Sequence, residues 1–442
     1  MQTSQLKILI IGSGAREHAI AKALHRSPHS PQIFCIGTSK NPGIEKLTTN
    51  YLTGDICDTE FVTNAALTWT IDLAIIGPEA PLEKGLADLL WKNNIPTIGP
   101  KKNLAQIETS KKFTRDLLKN YEIPGSPVYQ TFNTYEGVES FLRRLGDGNY
   151  VIKADGLMGG KGVKVAGDHL HSLREAFTYC QELLGLQQTF VIEEKLIGQE
   201  FSLLYFCDGN VLIPMPLIQD HKRAFINDEG PNTGGMGSYS DANHSLPFVT
   251  EKDLNEAHKI NNAMLSALTK EYREKYIGII YSSFMTTRDG VRLIEYNARF
   301  GDPEAMNALA ILETDFVEIC QAMVTGHLAT LPIHFKPLAT VCKYSVPEGY
   351  PDQPLKNEII DISSIKNEDE LYFGAVEKRN GQLYATGSRA VAVLGVAPTI
   401  FDAEKIAETE INKIHGKIFH RSDIGTEHLI AKRIREMQEL RQ

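Results

Sequence analysis

The chain has 442 residues, 42% of them hydrophobic and 23% charged, with a net charge of −9 at pH 7. These proportions exclude disordered, collagen-like and low-complexity classes, and the length suggests about three domains. The acidic balance argues against nucleic acid as a partner, because phosphate binding needs a clustered basic face.

The longest apolar runs, such as Leu6–Ile11 and Leu73–Ile76, fall far short of the roughly 20 residues that span a bilayer, so no membrane partner is expected. Residues 1–7 lack the pattern of a secretory signal. The six cysteines, at 35, 57, 180, 207, 320 and 342, form no C-x-x-C pair and read as reduced thiols of a cytoplasmic protein.

Lys7–Ile11 predicts an apolar strand, Gly12–Gly14 a turn, and Arg16–Leu24 a helix. Further strands are predicted at 33–37, 71–76 and 97–99, with a helix over 83–92. Apolar strands alternating with helices predict a parallel sheet buried on both faces. A helix over 110–121 leads to the Pro124-Gly125 break and a second α/β region, with strands at 150–153 and 190–193. Leu254–Tyr272 has the periodicity of a long amphipathic helix. A strand over 292–297, a turn over 300–303 and a helix over 314–325 follow. The Pro332–Pro337 stretch marks a boundary, beyond which strands at 339–344 and 390–396 and a helix over 402–415 are expected.

Gly12-Ser13-Gly14-Ala15-Arg16-Glu17 begins like a dinucleotide fingerprint but has Glu17 where the third glycine belongs. No acid ends the second strand to hold a ribose hydroxyl, so a nicotinamide oxidoreductase is disfavoured. A helix N-terminus behind two glycines remains a good anion cradle. The second glycine cluster, Gly156 with Gly159-Gly160-Lys161-Gly162, is no P-loop, since Gly162 stands where Ser or Thr belongs. It reads as a hairpin tip whose glycines let the backbone approach phosphates, with Lys161 above them and Lys153 on the incoming strand.

Glu295, Asn297 and Arg299 are spaced by two and share one face if the strand persists. A carboxylate and an amide oxygen are hard ligands suited to Mg²⁺. Arg299 adds a fork for phosphate or carboxylate. Asp220-His221-Lys222-Arg223, followed by the glycine-rich stretch 230–237, suggests a loop folding over an anionic substrate.

In this order, these motifs resemble the ATP-grasp ligases, and among them the phosphoribosylamine–glycine ligase family. The resemblance rests on Gly12–Ala19, Gly77–Leu82, Ile152–Gly156 with Gly159–Gly162, Gln219–Arg223, Gly230–Gly237, Arg299–Glu304 and Arg421–Gly425. It implies an α/β protein with a Rossmann-like, parallel-sheet pre-ATP-grasp domain at 1–107. An ATP-grasp domain at 108–330, with a mobile lid over about 125–195, and a small α+β C-terminal domain at 331–442 would follow. It implies a ligase joining glycine to 5-phosphoribosylamine with ATP and Mg²⁺ or Mn²⁺, acting as a monomer or weak homodimer.

Residue by residue, the resemblance puts Lys111 and Lys153 on the α and β phosphates, and Lys161 with Gly156, Gly159, Gly160 and Gly162 over the β and γ phosphates. Glu193, Lys195, Leu196 and Glu200 would hold adenosine, and Glu295 and Asn297 the metal. Gly12, Gly14, Arg16, Glu79, Asp220, His221, Lys222, Arg223, Gly234, Gly235, Gly237, Arg299 and Asp302 would hold the two substrates, with Lys161, Arg299 and Asp220 catalytic. A sister carboxylase or transformylase and a non-catalytic nucleotide-binding scaffold are the alternatives. Lys343 and Tyr344, and the run Gly374–Glu377, depart from the family's usual pattern.

Overall fold

The computed structural model describes residues 5–158, 162–366 and 368–442. Lys7–Ile11, Gln32–Gly37, Asn50–Thr53, Leu73–Ile76 and Thr97–Ile98 form a five-stranded parallel sheet. Lys7–Ile11 lies at its centre, between Gln32–Gly37 and Leu73–Ile76, and Ile8–Ile11 are fully buried. The predicted parallel sheet is present. The strand Asn50–Thr53 escaped prediction because it is a short, mostly exposed edge whose only apolar run is Tyr51-Leu52. The helix expected over 83–92 is two, Glu79–Glu83 and Leu86–Lys92, because Gly85 turns the chain at φ +82°.

A separate four-stranded antiparallel sheet runs in the order Tyr129–Phe132, Phe190–Glu194, Tyr150–Ala154, Val163–Val165. Helices Val138–Leu145 and Leu173–Gly185 cover it, and it has its own small core around Phe132, Phe141, Ile152 and Phe190. The hairpin expected around the second glycine cluster is formed, with Lys153 opposite Val163.

The central antiparallel sheet comprises Leu212–Pro214, Gln199–Asp208, Ile277–Thr287 and Gly290–Asn297, packed on the 22-residue helix Glu251–Tyr272. That helix starts on a capping box, with Thr250 and Asp253 exchanging hydrogen bonds. A further sheet places Gln219–Asp220 and Gly237–Ser240 beside Ala339–Pro347, Val391–Ala397 and Leu371–Phe373. The stretch 221–236 is therefore an excursion between two paired strands, built on a small antiparallel hairpin of Arg223–Phe225 and Glu229–Asn232. No helix among the described residues is long and apolar enough to cross a membrane.

Candidate active site

Lys111, Lys153 and Lys222 lie in the field of one carboxylate, Glu295, and Lys153 and Arg115 hold a second, Glu193. Lys153 lies on the strand Tyr150–Ala154, and its Nζ is 2.7 Å from Glu193 Oε2 on the neighbouring strand. Arg115, from the helix Lys111–Asn120, grips the same carboxylate through Nε at 2.6 Å and Nη2 at 3.1 Å. Burial alone would raise the Glu193 pKa; the Arg115 and Lys153 cations outweigh it and hold it to about 2. Both oxygens of Glu193 are thus engaged, so its carboxylate is not free for adenosine, contrary to the expectation above. Lys111 opens the same helix, capped by Ser110, and its Nζ donates to the Gly156 carbonyl at 3.0 Å. Burial lowers the Lys111 pKa against the opposing pull of Glu295.

Glu295 and Asn297 lie near the end of the strand Gly290–Asn297, opposite Ser283 and Tyr281. Tyr296 between them is 2% exposed and turns inward, so the two polar side chains share the other face. Burial works to raise the Glu295 pKa, but Lys222, Lys153 and Lys111 overcome it and keep the carboxylate ionised. Lys222 Nζ is 3.4 Å from Glu200 and 4.0 Å from Glu295. The donor set fits a divalent cation and phosphates: an ionised carboxylate and an amide oxygen, both hard ligands, with three ammonium groups in their field. Glu295 and Asn297 would hold Mg²⁺.

Arg299 follows this strand and spans two carboxylates. It reaches Glu108 at 2.9 Å and Glu79 at 3.3 Å, and donates to Asn297 Oδ1 at 3.2 Å. Burial raises the Glu108 pKa to about 7, whereas Arg299 and Arg16 overcome burial at Glu79 and hold it to about 2. One guanidinium between two carboxyl groups thus favours one of them as the ionised partner.

Beside Arg299 lies a cavity of about 370 Å³ lined by Gly12–Glu17, Thr38, Ser39, Asp302, Tyr344, Thr386, Ser388 and Arg389, among others. Gly12, at φ +118°, leaves the space that Glu17 fills: a Cβ there would come within 2.8 Å of Glu17 and 2.9 Å of Pro78. The Glu17 carboxylate takes the Gly14 N–H and Arg16 Nε, each at 2.6 Å. Part of the expected anion cradle is therefore already filled by the chain's own carboxylate. Arg389 donates to the carbonyls of Gly234, Gly235 and Asp302 at 2.7, 3.1 and 2.8 Å, and its guanidinium stacks on Tyr344, 4.6 Å from the ring centre. Tyr344 in turn donates to Asp302 Oδ1 at 2.5 Å. Asp220 lies against Gly235, and burial together with Glu304 raises its carboxyl well above the usual range.

Other residues are placed differently from the sequence reading. His221 is 2% exposed with its ring against Tyr239, and burial lowers its pKa to about 3; it is an interior group. Gly237 is a buried sheet residue opposite Lys343, where a Cβ would collide with the Cys342 carbonyl. Arg223 pairs with Asp168 beyond the strand Val163–Val165 and donates to the Gly230 carbonyl at 2.8 Å. Lys195 donates to the Ala166 carbonyl at 2.7 Å, tying two strands of the four-stranded sheet. Leu196 and Glu200 follow on the way into the central sheet. Gly162 accepts the Ala154 N–H at 2.8 Å. Gly159, Gly160 and Lys161 lie outside the described residues.

Arg115, Glu108 and Arg389 were missed in the sequence. Arg115 and Glu108 stand in ordinary amphipathic or capping contexts, and their partners are remote in the chain. Arg389 had a legible signal: Gly387-Ser388-Arg389 is a polar break immediately before the apolar strand Val391–Ala397.

The phosphoribosylglycinamide synthetase N domain matches residues 6–108, its ATP-grasp (A) domain residues 109–305, and its C domain residues 340–427. The phosphoribosylamine–glycine ligase of Methanosarcina barkeri is 48% identical over 436 residues, covering 99% of this chain and all of that one. The phosphoribosylamine–glycine ligase of Methanocaldococcus jannaschii is 49% identical over 445 residues, with 99% of this chain and 100% of the relative covered. The crystal structure of the Thermotoga maritima phosphoribosylamine–glycine ligase superposes with a TM-score of 0.80 at 26% identity, over 95% of this chain and 100% of that one. Matched by three successive domains and aligned end to end with these ligases, the chain belongs to the phosphoribosylglycinamide synthetase family of ATP-grasp enzymes.

Proposed function

We infer that the protein joins glycine to 5-phosphoribosylamine, converting ATP to ADP and phosphate, as an early ligase of purine biosynthesis. The observation that carries this is the convergence of Lys111, Lys153 and Lys222 on Glu295, with Arg299 close by between Glu79 and Glu108. A carboxylate is a poor electrophile at neutral pH. Transfer of the γ-phosphoryl group to glycine makes glycyl phosphate, which the amine then attacks. Such transfer needs positioning and charge neutralisation more than covalent help. Mg²⁺, when bound, would supply Lewis-acid polarisation of the phosphate oxygens, and Glu295 and Asn297 would hold it.

Lys111 and Lys153 hold the nucleotide phosphates, with Lys161 and its glycines covering them. Glu193 stays with Arg115, while the segment Glu194–Leu196 and Glu200 borders the adenosine. Arg299 orients the glycine carboxylate, Asp220 lies against Gly235 beside the attacking amine, and the departing phosphate takes the proton that the amine loses. The cavity takes the phosphosugar. There Arg16, Arg389 and the hydroxyls of Ser13, Thr38, Thr386 and Ser388 offer donors, and Asp302 faces the amine end. Glycyl phosphate hydrolyses readily, so closure of the glycine-rich hairpin over the nucleotide keeps water out.

The test is ADP release with ATP, Mg²⁺, glycine and phosphoribosylamine omitted in turn, the amine being generated from ribose 5-phosphate and ammonia. Release that needs all four supports the assignment. Release that ignores glycine and the amine but responds to bicarbonate or formate refutes it.

A further inference from the structure

Lys153 meets a problem when a nucleotide arrives. To reach a phosphate it must leave Glu193, whose carboxylate is 3% exposed. A buried carboxylate stripped of its cation is costly, so without another counterion Lys153 would be held where it is. Arg115 resolves this. Its side chain is 2% exposed, and it holds Glu193 through two parallel hydrogen bonds at 2.6 and 3.1 Å, the bidentate geometry that makes such pairs strong. Arg115 Nη2 also donates to the Ile294 carbonyl at 2.8 Å, and Lys153 Nζ donates to the same carbonyl at 3.3 Å. Ile294 immediately precedes Glu295. One guanidinium thus joins the helix that begins with Lys111, the strand carrying Glu193 and the strand carrying Glu295.

We propose that Arg115 is a positioning residue that keeps Glu193 neutralised, so that Lys153 is free to exchange this carboxylate for nucleotide phosphate. Arg115 touches no reacting atom. It acts through Glu193, and the proposal rests on the assignment of Lys153 to the phosphates. Loss of the Arg115 charge leaves Lys153 as the only cation ion-paired with Glu193 among the described residues and pins it there. Removing the Glu193 charge as well releases it.

The experiment is equilibrium binding of ATP with Mg²⁺ to Arg115→Met, to the double variant Arg115→Met/Glu193→Gln, and to Lys153→Met, each checked by circular dichroism and thermal melting. Arg115→Met is expected to bind ATP roughly tenfold or more weakly, because the cost of baring a buried carboxylate now falls on every binding event. The double variant recovers to within about threefold of the parent, since replacing both members of a buried pair is often neutral. If Arg115→Met does not fold, the double variant carries the test by the same criterion. A folded double variant as weak as Arg115→Met, or an Arg115→Met with parental affinity, overturns the proposal while leaving the phosphate assignment intact. Parental affinity in Lys153→Met removes that assignment and the proposal with it.

Discussion

Replacing Glu108 with Gln should make the protein more resistant to unfolding as pH rises, because its carboxyl is ionised at a cost. Its side chain is 5% exposed, accepting the Ala298 N–H at 2.6 Å and pairing with Arg299 at 2.9 Å. Burial, only partly offset by Arg299, carries its pKa from an ordinary 4.5 to about 7. The unfolded chain therefore loses this proton first, and between pH 4.5 and 7 stability falls with increasing pH by about 1.4 kcal/mol per pH unit on this group's account. The whole gap corresponds to about 3 kcal/mol, present as a penalty above pH 7 and absent below pH 4.5. Glutamine has no proton to lose. It also makes a weaker partner for Arg299, which lowers the whole curve by about 1–3 kcal/mol without tilting it. The assay is urea unfolding of parent and variant at pH 5, 6, 7 and 8. The difference between them should move in the variant's favour by up to about 3 kcal/mol across that range. Parallel curves would refute the reasoning and place the Glu108 pKa in the ordinary carboxylate range.

Glu295→Ala should lower kcat by roughly 100-fold or more, since a metal supplies several kcal/mol of charge stabilisation, and should raise the Mg²⁺ concentration needed; near-normal turnover at low Mg²⁺ would remove Glu295 from the ligand set. Arg389→Met should raise KM for the phosphosugar about tenfold or more while leaving the KM for ATP within about twofold, because hydrogen bonds to charged groups contribute about 1.5–3 kcal/mol; equal effects on both would mean that Arg389 only holds the loop together. Lys161→Ala should reduce kcat more than ATP affinity, as expected of a group that matters most in the transition state; equal losses in both would indicate plain binding.

The sequence was most informative where one element carries both pattern and chemistry. The run Lys7–Ile11 followed by Gly12–Gly14 is a buried central strand and a tight turn in one stretch, and both formed. The alternation Glu295, Tyr296, Asn297 placed two polar groups on one face and an aromatic ring on the other, as period two requires. It was least informative where function depends on partners distant in the chain. Arg115 and Glu193 are 78 positions apart, and Arg389 and Gly234 are 155 apart. Nothing local to either arginine says which carboxylate or carbonyl it will meet. His221 shows the opposite failure: embedded in a charged motif, it reads as a ligand contact, yet the chain turns it into the interior while Lys222 faces Glu200 and Glu295. Tyr344 and Lys343 stood out as departures, and their neighbours explain them. Tyr344 shelters Asp302 and Arg389, and Lys343 is a fully buried cation held by Glu404 at 2.7 Å and Glu408 at 2.6 Å.

The sheet that holds the loop 221–236 also sets an order of synthesis. Its strand Gly237–Ser240 is paired on one side with Gln219–Asp220, which precedes it closely, and on the other with Ala339–Pro347, about a hundred residues later. On a translating ribosome that second edge stays open for roughly 5–20 s at 5–20 residues per second. In that interval the groups around Glu295 have not all been made, and an unpaired strand edge invites association with other chains. The segment 221–236 acquires its second anchor only after the strand that carries Glu295 and Asn297 is complete. A chaperone or a slow codon acting between positions 304 and 347, after the strand with Glu295 and Asn297 is made, would therefore bear on the second anchor of this segment far more than on that strand.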